Sequence, residues 1–294
     1  MNARLAIPWL SWRMRVALFA ALPAILLGGI VLVGWSRDID LFKSVIPGAV
    51  SMKANTAVGI LLGGIALGLH ALCGRNRICR GVASVIGMLV TLVGLATLAQ
   101  YFTGADLGID QLFFEESAGA PGTNFPGRMA PASALCFVLV GVSLGLKVVK
   151  GRFGLSHILA QMTLAFAAMT GVGYLVGSSM LIGIASYTQM AAHTALSFGF
   201  LGGGMLLLSE ERSTESGALS PRNKNIRTIL RLGTLGLTVT LIVVTFGYLI
   251  HERNHQDLHA SFKRELESIV HYKAKQISGW VRQRLGDGLF ARAC

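Results

Sequence analysis

Three methionines and one histidine are the residues of this sequence best suited to soft-ligand chemistry. Met52, Met129 and Met190 each open one pattern, M-x-x-x-[ST]-A-[LV]-x-[FI]-x-x-x-G, and His193 lies within the third copy. Thioether and imidazole ligands suit Cu(I), and three sulfurs at one membrane depth would form such a site. Methionine is also a common filler of apolar cores, and that packing reading is the one the pattern favours. The other fixed positions are Thr56, Ala57 and Gly64, then Ser133, Ala134 and Gly141, then Thr194, Ala195 and Gly202. Ser and Thr hydroxyls bond carbonyls within a helix, and small residues let helices approach closely. No cofactor or metal is therefore expected, and His193 reads as a polar cap.

A second group of chemical residues is acidic. Asp106, Asp110, Glu115 and Glu116 face Arg128 alone in the stretch from Phe102 to Arg128. Gly119, Pro121, Gly122, Pro126 and Gly127 make its second half a loop. Loops on rigid scaffolds often carry function, so these four carboxylates are the candidate stimulus surface. His251, His255 and His259 recur at four-residue steps, but no carboxylate or cysteine completes a zinc site. Cys73 and Cys79 are six apart, unlike a zinc ligand pair, and are expected as unpaired thiols in a reducing compartment. No phosphate-binding loop, kinase catalytic loop, phosphoacceptor box or cyclase signature occurs. The chain as given reads as non-catalytic.

The elements that must position these residues are membrane spans. Of 294 residues, 53% are hydrophobic and 14% charged, and the mean hydropathy is +0.61. A bilayer core needs roughly 20 apolar residues per helix. Stretches free of Asp, Glu, Lys and Arg run over Val16–Ser36, Ala54–Gly74, Gly81–Ala105, Met129–Leu146, Phe153–Ser209 and Leu232–His251. The fifth is long enough for two spans with a turn near Gly177–Gln189. The expectation is an all-α integral membrane protein with seven transmembrane helices.

Three motif copies imply three repeated helical hairpins. The third and fifth spans end alike, in Tyr101-Phe-Thr-Gly104 and Tyr174-Leu-Val-Gly177, with Trp35 at a similar level on the first. Residues 1–15 read as a basic cytoplasmic leader and 16–210 as a six-span core with repeats near 16–73, 81–149 and 153–210. Residues 211–228 read as a cytoplasmic linker and 229–251 as the last span. From 252 to 294, apolar residues at helical spacing suggest an extracytoplasmic amphipathic helix, the start of a domain that continues further.

Leaving the tail after residue 251 aside, fourteen Lys and Arg residues flank the spans on the N-terminal side of the membrane, against Arg37, Lys43, Lys53 and Arg128 on the other. That asymmetry predicts a cytoplasmic N-terminus and an extracytoplasmic C-terminus in the cell inner membrane. It also accounts for much of the +12 net charge, so the lipid bilayer is the expected partner and nucleic acid is not. The spans can be drawn without an intramembrane acid or base, which argues against ion-coupled transport.

Two stretches carry a resemblance. The repeats, with Leu107-Gly-Ile-Asp-Gln-Leu-Phe113 and Pro126-Gly-Arg-Met-Ala-Pro-Ala-Ser-Ala-Leu-Cys-Phe137, resemble the multi-span membrane-associated sensor regions of bacterial sensor histidine kinases and diguanylate cyclases. Glu265–Arg284, including Lys273-Ala-Lys-Gln-Ile-Ser-Gly-Trp280, is similar to the first helix of Cache-like extracytoplasmic sensor domains. The resemblance implies a sensory input module, a homodimer through the last span and following helix, and an output domain beyond residue 294. The alternatives are a repeat-built small-solute transporter and a copper- or haem-binding membrane protein.

Overall fold

A computed structural model of the chain describes residues 11–73, 76–117, 119–146, 153–177, 182, 188–215 and 273. The chain divides into two compact units, Met1–Thr240 and Leu241–Cys294, and the described residues other than Lys273 belong to the first. The expected last span and amphipathic helix lie outside the described residues, as do most of the linker and the leader.

The regular elements among the described residues are all helices, with no strand among them. The helices are α1 (Trp12–Arg37), α2 (Asp40–Lys43), α3 (Ala54–Leu72), α4 (Arg77–Thr103), α5 (Pro131–Leu146), α6 (Phe153–Val176) and α7 (Ala192–Glu215). Five of them are long and apolar enough to cross a membrane; α5 is apolar but shorter. Local sequence sets their ends. The Ser11 hydroxyl accepts from the Met14 amide at the start of α1, and the Asn76 side chain accepts from the Ile78 and Cys79 amides at the start of α4. Pro131 opens α5, where a missing N–H removes nothing. Gly104 ends α4 in a left-handed conformation (φ 71°), its amide bonded to the Gln100 carbonyl.

Each long helix packs most extensively on a chain neighbour, α1 on α3, α4 on α5 and α6 on α7. Contacts of α3 with α4, α5 with α6 and α7 with α1 close a ring, and α3, α5 and α7 also touch one another. These three are the helices that the motif copies open. They are the buried ones, while α1, α4 and α6 expose apolar side chains such as Phe19, Leu26, Val85 and Leu92 outward. An apolar outer surface of that extent marks contact with lipid.

The centre is filled. Ile60, Phe137 and Phe198 occupy one motif position and are fully buried, with the two phenyl rings edge to face at 5.0 Å. Seven residues later Leu67, Leu144 and Met205 are buried in the same core. The glycine of each motif meets the backbone of its paired helix. A methyl group at Gly64 would lie 3.2 Å from the Ala21 carbonyl oxygen, and one at Gly202 3.2 Å from that of Ala160. At Gly141 it would overlap the Gly87 carbonyl and Thr91.

Nearer the aromatic ends, Gly28 presses on the Ala57 carbonyl and Gly94 on that of Ala134. Ala167 stands at the corresponding place on α6. There, α6 and α7 leave an apolar groove of about 530 Å³, lined by Leu164, Gly171, Ala195, Leu196 and Gly199 among others.

One expectation is corrected at the α3–α4 turn. Cys73 and Cys79 are drawn together as a pair close enough for a disulfide, with Cα atoms 5.8 Å apart, a bond that holds only in an oxidising compartment. The tight reversal from α3 into α4 brings the two side chains together. Cys136 is a free, buried cysteine.

Candidate functional site at the aromatic ends of the helices

The aromatic ends of α1, α4 and α6 and the motif starts of α3, α5 and α7 share one edge of the bundle. Trp35 donates its indole N–H to the Met52 carbonyl at 2.8 Å. Tyr101 donates its hydroxyl to the Met129 carbonyl at 3.0 Å, and Tyr174 to the Met190 carbonyl at 2.8 Å. Each methionine lies two residues before its helix, and each bond fixes where that helix begins. The aromatic residues thus act as clamps within the protein.

The methionine side chains are all buried but do not share one cluster. Met52 packs with Val31, Val50, Ala57 and Ala191, whereas Met129 and Met190 belong to the larger core. His193 is 5% exposed, and its Nε2 has no partner among the described residues. Thr56, Ser133 and Thr194 are buried at the first turns of the inner helices, and Ala57, Ala134 and Ala195 beside them. The Thr56 hydroxyl reaches the Asn55 side-chain oxygen at 3.4 Å, not a backbone carbonyl as expected. Among the described residues, no three His, Cys, Asp or Glu side chains are grouped to hold a metal.

The acidic loop is a strap laid over this edge, and its four carboxylates divide into two kinds. Asp106 and Glu115 are exposed; Asp106 only caps the Gly108 amide at 2.9 Å. Glu116 and Asp110 are buried in ion pairs. Lys53 Nζ meets Glu116 Oε1 at 2.5 Å, the two side chains 2% and 5% exposed. Glu116 also accepts from the Ser51 hydroxyl and, through Oε2, from the Gly127 amide at 2.7 Å. Lys53 donates in addition to Thr123 Oγ1 at 2.6 Å. Burial pushes the Lys53 ammonium below the ordinary lysine range, opposed by the charge of Glu116.

The second pair joins Arg128 Nε to Asp110 Oδ2 at 2.7 Å, and Gln100 Nε2 donates to the same oxygen at 2.9 Å. The guanidinium lies 4.6 Å over the Phe125 ring and 5.4 Å over the Tyr101 ring. A third tie is a backbone bond from the Gln189 amide to the Gly122 carbonyl at 3.0 Å. The strap therefore holds the chain just before α3, before α5 and before α7.

Between the strap and residues 37–51 lies a cleft of about 670 Å³, within the usual range for small-molecule sites. Its lining includes Trp35, Asp40, Lys43, Phe114, Glu115 and Pro121. Trp35 and Phe114 stack with centroids 6.2 Å apart. Lys43 lies 5.1 Å from the Trp35 ring and bonds Asp38 and Asp40. Burial works against the Lys43 charge, but hydrogen bonds to Asp38 and Asp40 outweigh it and raise the group above the ordinary lysine range. The cleft thus offers an aromatic wall and a mixed, mainly acidic rim to an amphipathic small molecule.

Sequence reasoning missed the clamps and the buried pairing of the strap. The clamps had a signal. Counting back from Trp35, Tyr101 and Tyr174 by four, seven, eleven and fourteen gives Val31, Gly28, Ala24 and Ala21, then Thr97, Gly94, Val90 and Gly87, then Thr170, Ala167, Thr163 and Ala160. All twelve are buried. That 3.5-residue spacing of small residues is a packing seam ending in a hydrogen-bonding ring. Compared with known proteins, the chain matches no family model, no curated protein and no solved structure.

Proposed function

We propose that this chain is the membrane-embedded input module of a bacterial signalling receptor, set in the cell inner membrane with its N-terminus in the cytoplasm. In this reading the helix pairs α1–α3, α4–α5 and α6–α7 are three copies of one hairpin, followed by a seventh span. The strap and its cleft face outside and receive the cue, and a kinase or cyclase domain further along the polypeptide gives the output. The observation that supports it most is the strap itself. One acidic loop is ion-paired or hydrogen-bonded to the starts of all three inner helices and borders a ligand-sized cleft. A cue that moves the strap moves three helix starts together, which supplies the shared element that coupling between sites requires.

The filled centre favours reception over passage. Ile60, Phe137 and Phe198 block the axis between the inner helices, and a solute path would need polar lining there.

The test joins residues 1–294, through one added transmembrane helix that returns the chain to the cytoplasm, to a diguanylate cyclase domain and measures cyclic dinucleotide in cells. Substitutions in the strap, such as Phe114→Ala at the cleft wall, are expected to change output at constant protein level. Unchanged output across strap substitutions, or solute flux through the purified chain in liposomes, would refute the reading.

A further inference from the structure

The cleft between the strap and residues 37–51 has acceptors to spare, while the donors around it are committed to the protein. The Trp35 indole N–H is given to the Met52 carbonyl, and the Ser51 hydroxyl to Glu116. The Ser44 hydroxyl turns to the Ile46 and Ala49 carbonyls of its own loop. Lys43, the only basic residue in the lining among the described residues, is held by Asp38 and Asp40. Those two carboxylates engage it through Oδ1 alone. Glu115 is exposed and has no hydrogen bond or ion pair among the described residues.

Charge runs the same way. The carboxylates of Asp38, Asp40, Glu115 and Glu116 line the cleft with the Lys43 ammonium, and Lys53 stands behind Glu116. Two negative charges are left without a counter-ion, on a chain whose net charge is +12. A recess lined by one sign of charge concentrates ions of the other. Its wall is aromatic and apolar: Trp35 and Phe114 stack there, with Leu41, Pro47 and Pro121 beside them. Aromatic faces attract cations. Lys43 shows that match within the protein, its ammonium bonded to two carboxylates and 5.1 Å from the Trp35 ring.

We infer that the cleft receives an organic cation, an N–H-bearing ammonium group carried on an apolar body. This inference rests on the sensory reading of the strap and names the chemical class of its cue. The ammonium supplies the donors and the positive charge that the lining lacks, and the body lies against the aromatic wall. An anion would meet the two uncompensated carboxylate charges with no basic group free to receive it. A bare metal ion is not favoured either, since no three His, Cys, Asp or Glu side chains are grouped to hold one among the described residues. The volume of about 670 Å³ suits a small organic molecule. Such a ligand touches both the strap and the segment facing it. Glu115 adjoins Glu116, which is paired with Lys53 at the start of α3, so occupancy bears on an inner helix.

Isothermal titration calorimetry of the full chain in nanodiscs of zwitterionic lipid tests the site, with the heat of empty nanodiscs subtracted. Phenethylammonium is expected to bind saturably at neutral pH with Kd below about 1 mM. 2-Phenylethanol, of the same shape but uncharged, should bind at least about tenfold more weakly. Glu115→Gln, which has no partner to lose, should weaken phenethylammonium at least about threefold, and so should Phe114→Leu. No saturable binding of phenethylammonium up to about 10 mM would overturn the inference. So would equal affinity for the alcohol, or unchanged affinity in Glu115→Gln. If phenethylammonium passes these tests and cyclase output ignores it, the site stands and the sensory reading falls. If it does not bind but output still follows strap substitutions, the sensory reading survives and the cation site falls.

Discussion

Tyr101 on α4 donates its hydroxyl to the carbonyl oxygen of Met129, two residues before α5 begins, at 3.0 Å. Trp35 and Tyr174 make the same kind of bond to Met52 and Met190. A hydrogen bond of this type contributes about 0.5–1.5 kcal/mol net. Tyr101→Phe and Tyr174→Phe are each expected to lower stability by that amount. The bonds lie in different helix pairs, so the double variant should be close to additive. Denaturation in detergent by urea or heat measures this. No change in either single variant would show that the clamps are incidental.

Gly141 offers a sharper test of the helix contacts. A methyl group there meets Thr91 and the Gly87 carbonyl, whereas at Gly199 it meets open space. Gly141→Ala should destabilise the fold by about 1–3 kcal/mol, and Gly199→Ala should stay within about 0.5 kcal/mol. Equal effects in the same denaturation assay would mean that α4 and α5 are not in backbone contact.

The Lys53–Glu116 pair separates burial from charge. Lys53→Met alone leaves a carboxylate 5% exposed without its counter-ion and should cost about 3–5 kcal/mol. Lys53→Met with Glu116→Met removes both charges and should recover most of the loss. A double variant as unstable as the single one would assign the loss to packing.

Lys53 and Lys43 have pKa values displaced in opposite directions. Lys53 falls below the ordinary value of 10.5 and Lys43 rises above it. The sign for Lys53 is that the folded chain releases this proton first. Folding therefore gains stability as pH rises from the lowered value towards 10.5. For Lys43, the stabilisation is complete below 10.5 and is lost as pH rises through the raised value. Carbon-13 methyl labelling with NMR detection should place Lys53 before Lys43 in an alkaline titration. The reverse order would contradict both burial and pairing.

Much of the helical arrangement was legible in the sequence, because charge-free runs of bilayer length leave few alternatives to helices. The starts of α3, α5 and α7 lie two residues after Met52, Met129 and Met190, so the motif marked three inner helices. The small-residue seams of α1, α4 and α6 were present but unread, since glycine and alanine in a span look alike whether they face lipid or protein. The acidic loop was legible as a place and not as a structure. Asp110 and Glu116 could not be told from Asp106 and Glu115, because their partners Lys53 and Arg128 are set by tertiary contacts. The cysteine pair was misread because spacing says nothing of how tightly α3 turns into α4.

Everything proposed for the strap requires that it face the outside of the cell. Ser117, an exposed strap residue, is replaced by cysteine and treated in intact cells with a membrane-impermeant maleimide. Labelling of Ser117→Cys before the cells are opened is the expected result. Labelling that appears only after the inner membrane is permeabilised would place the strap in the cytoplasm and contradict the proposal.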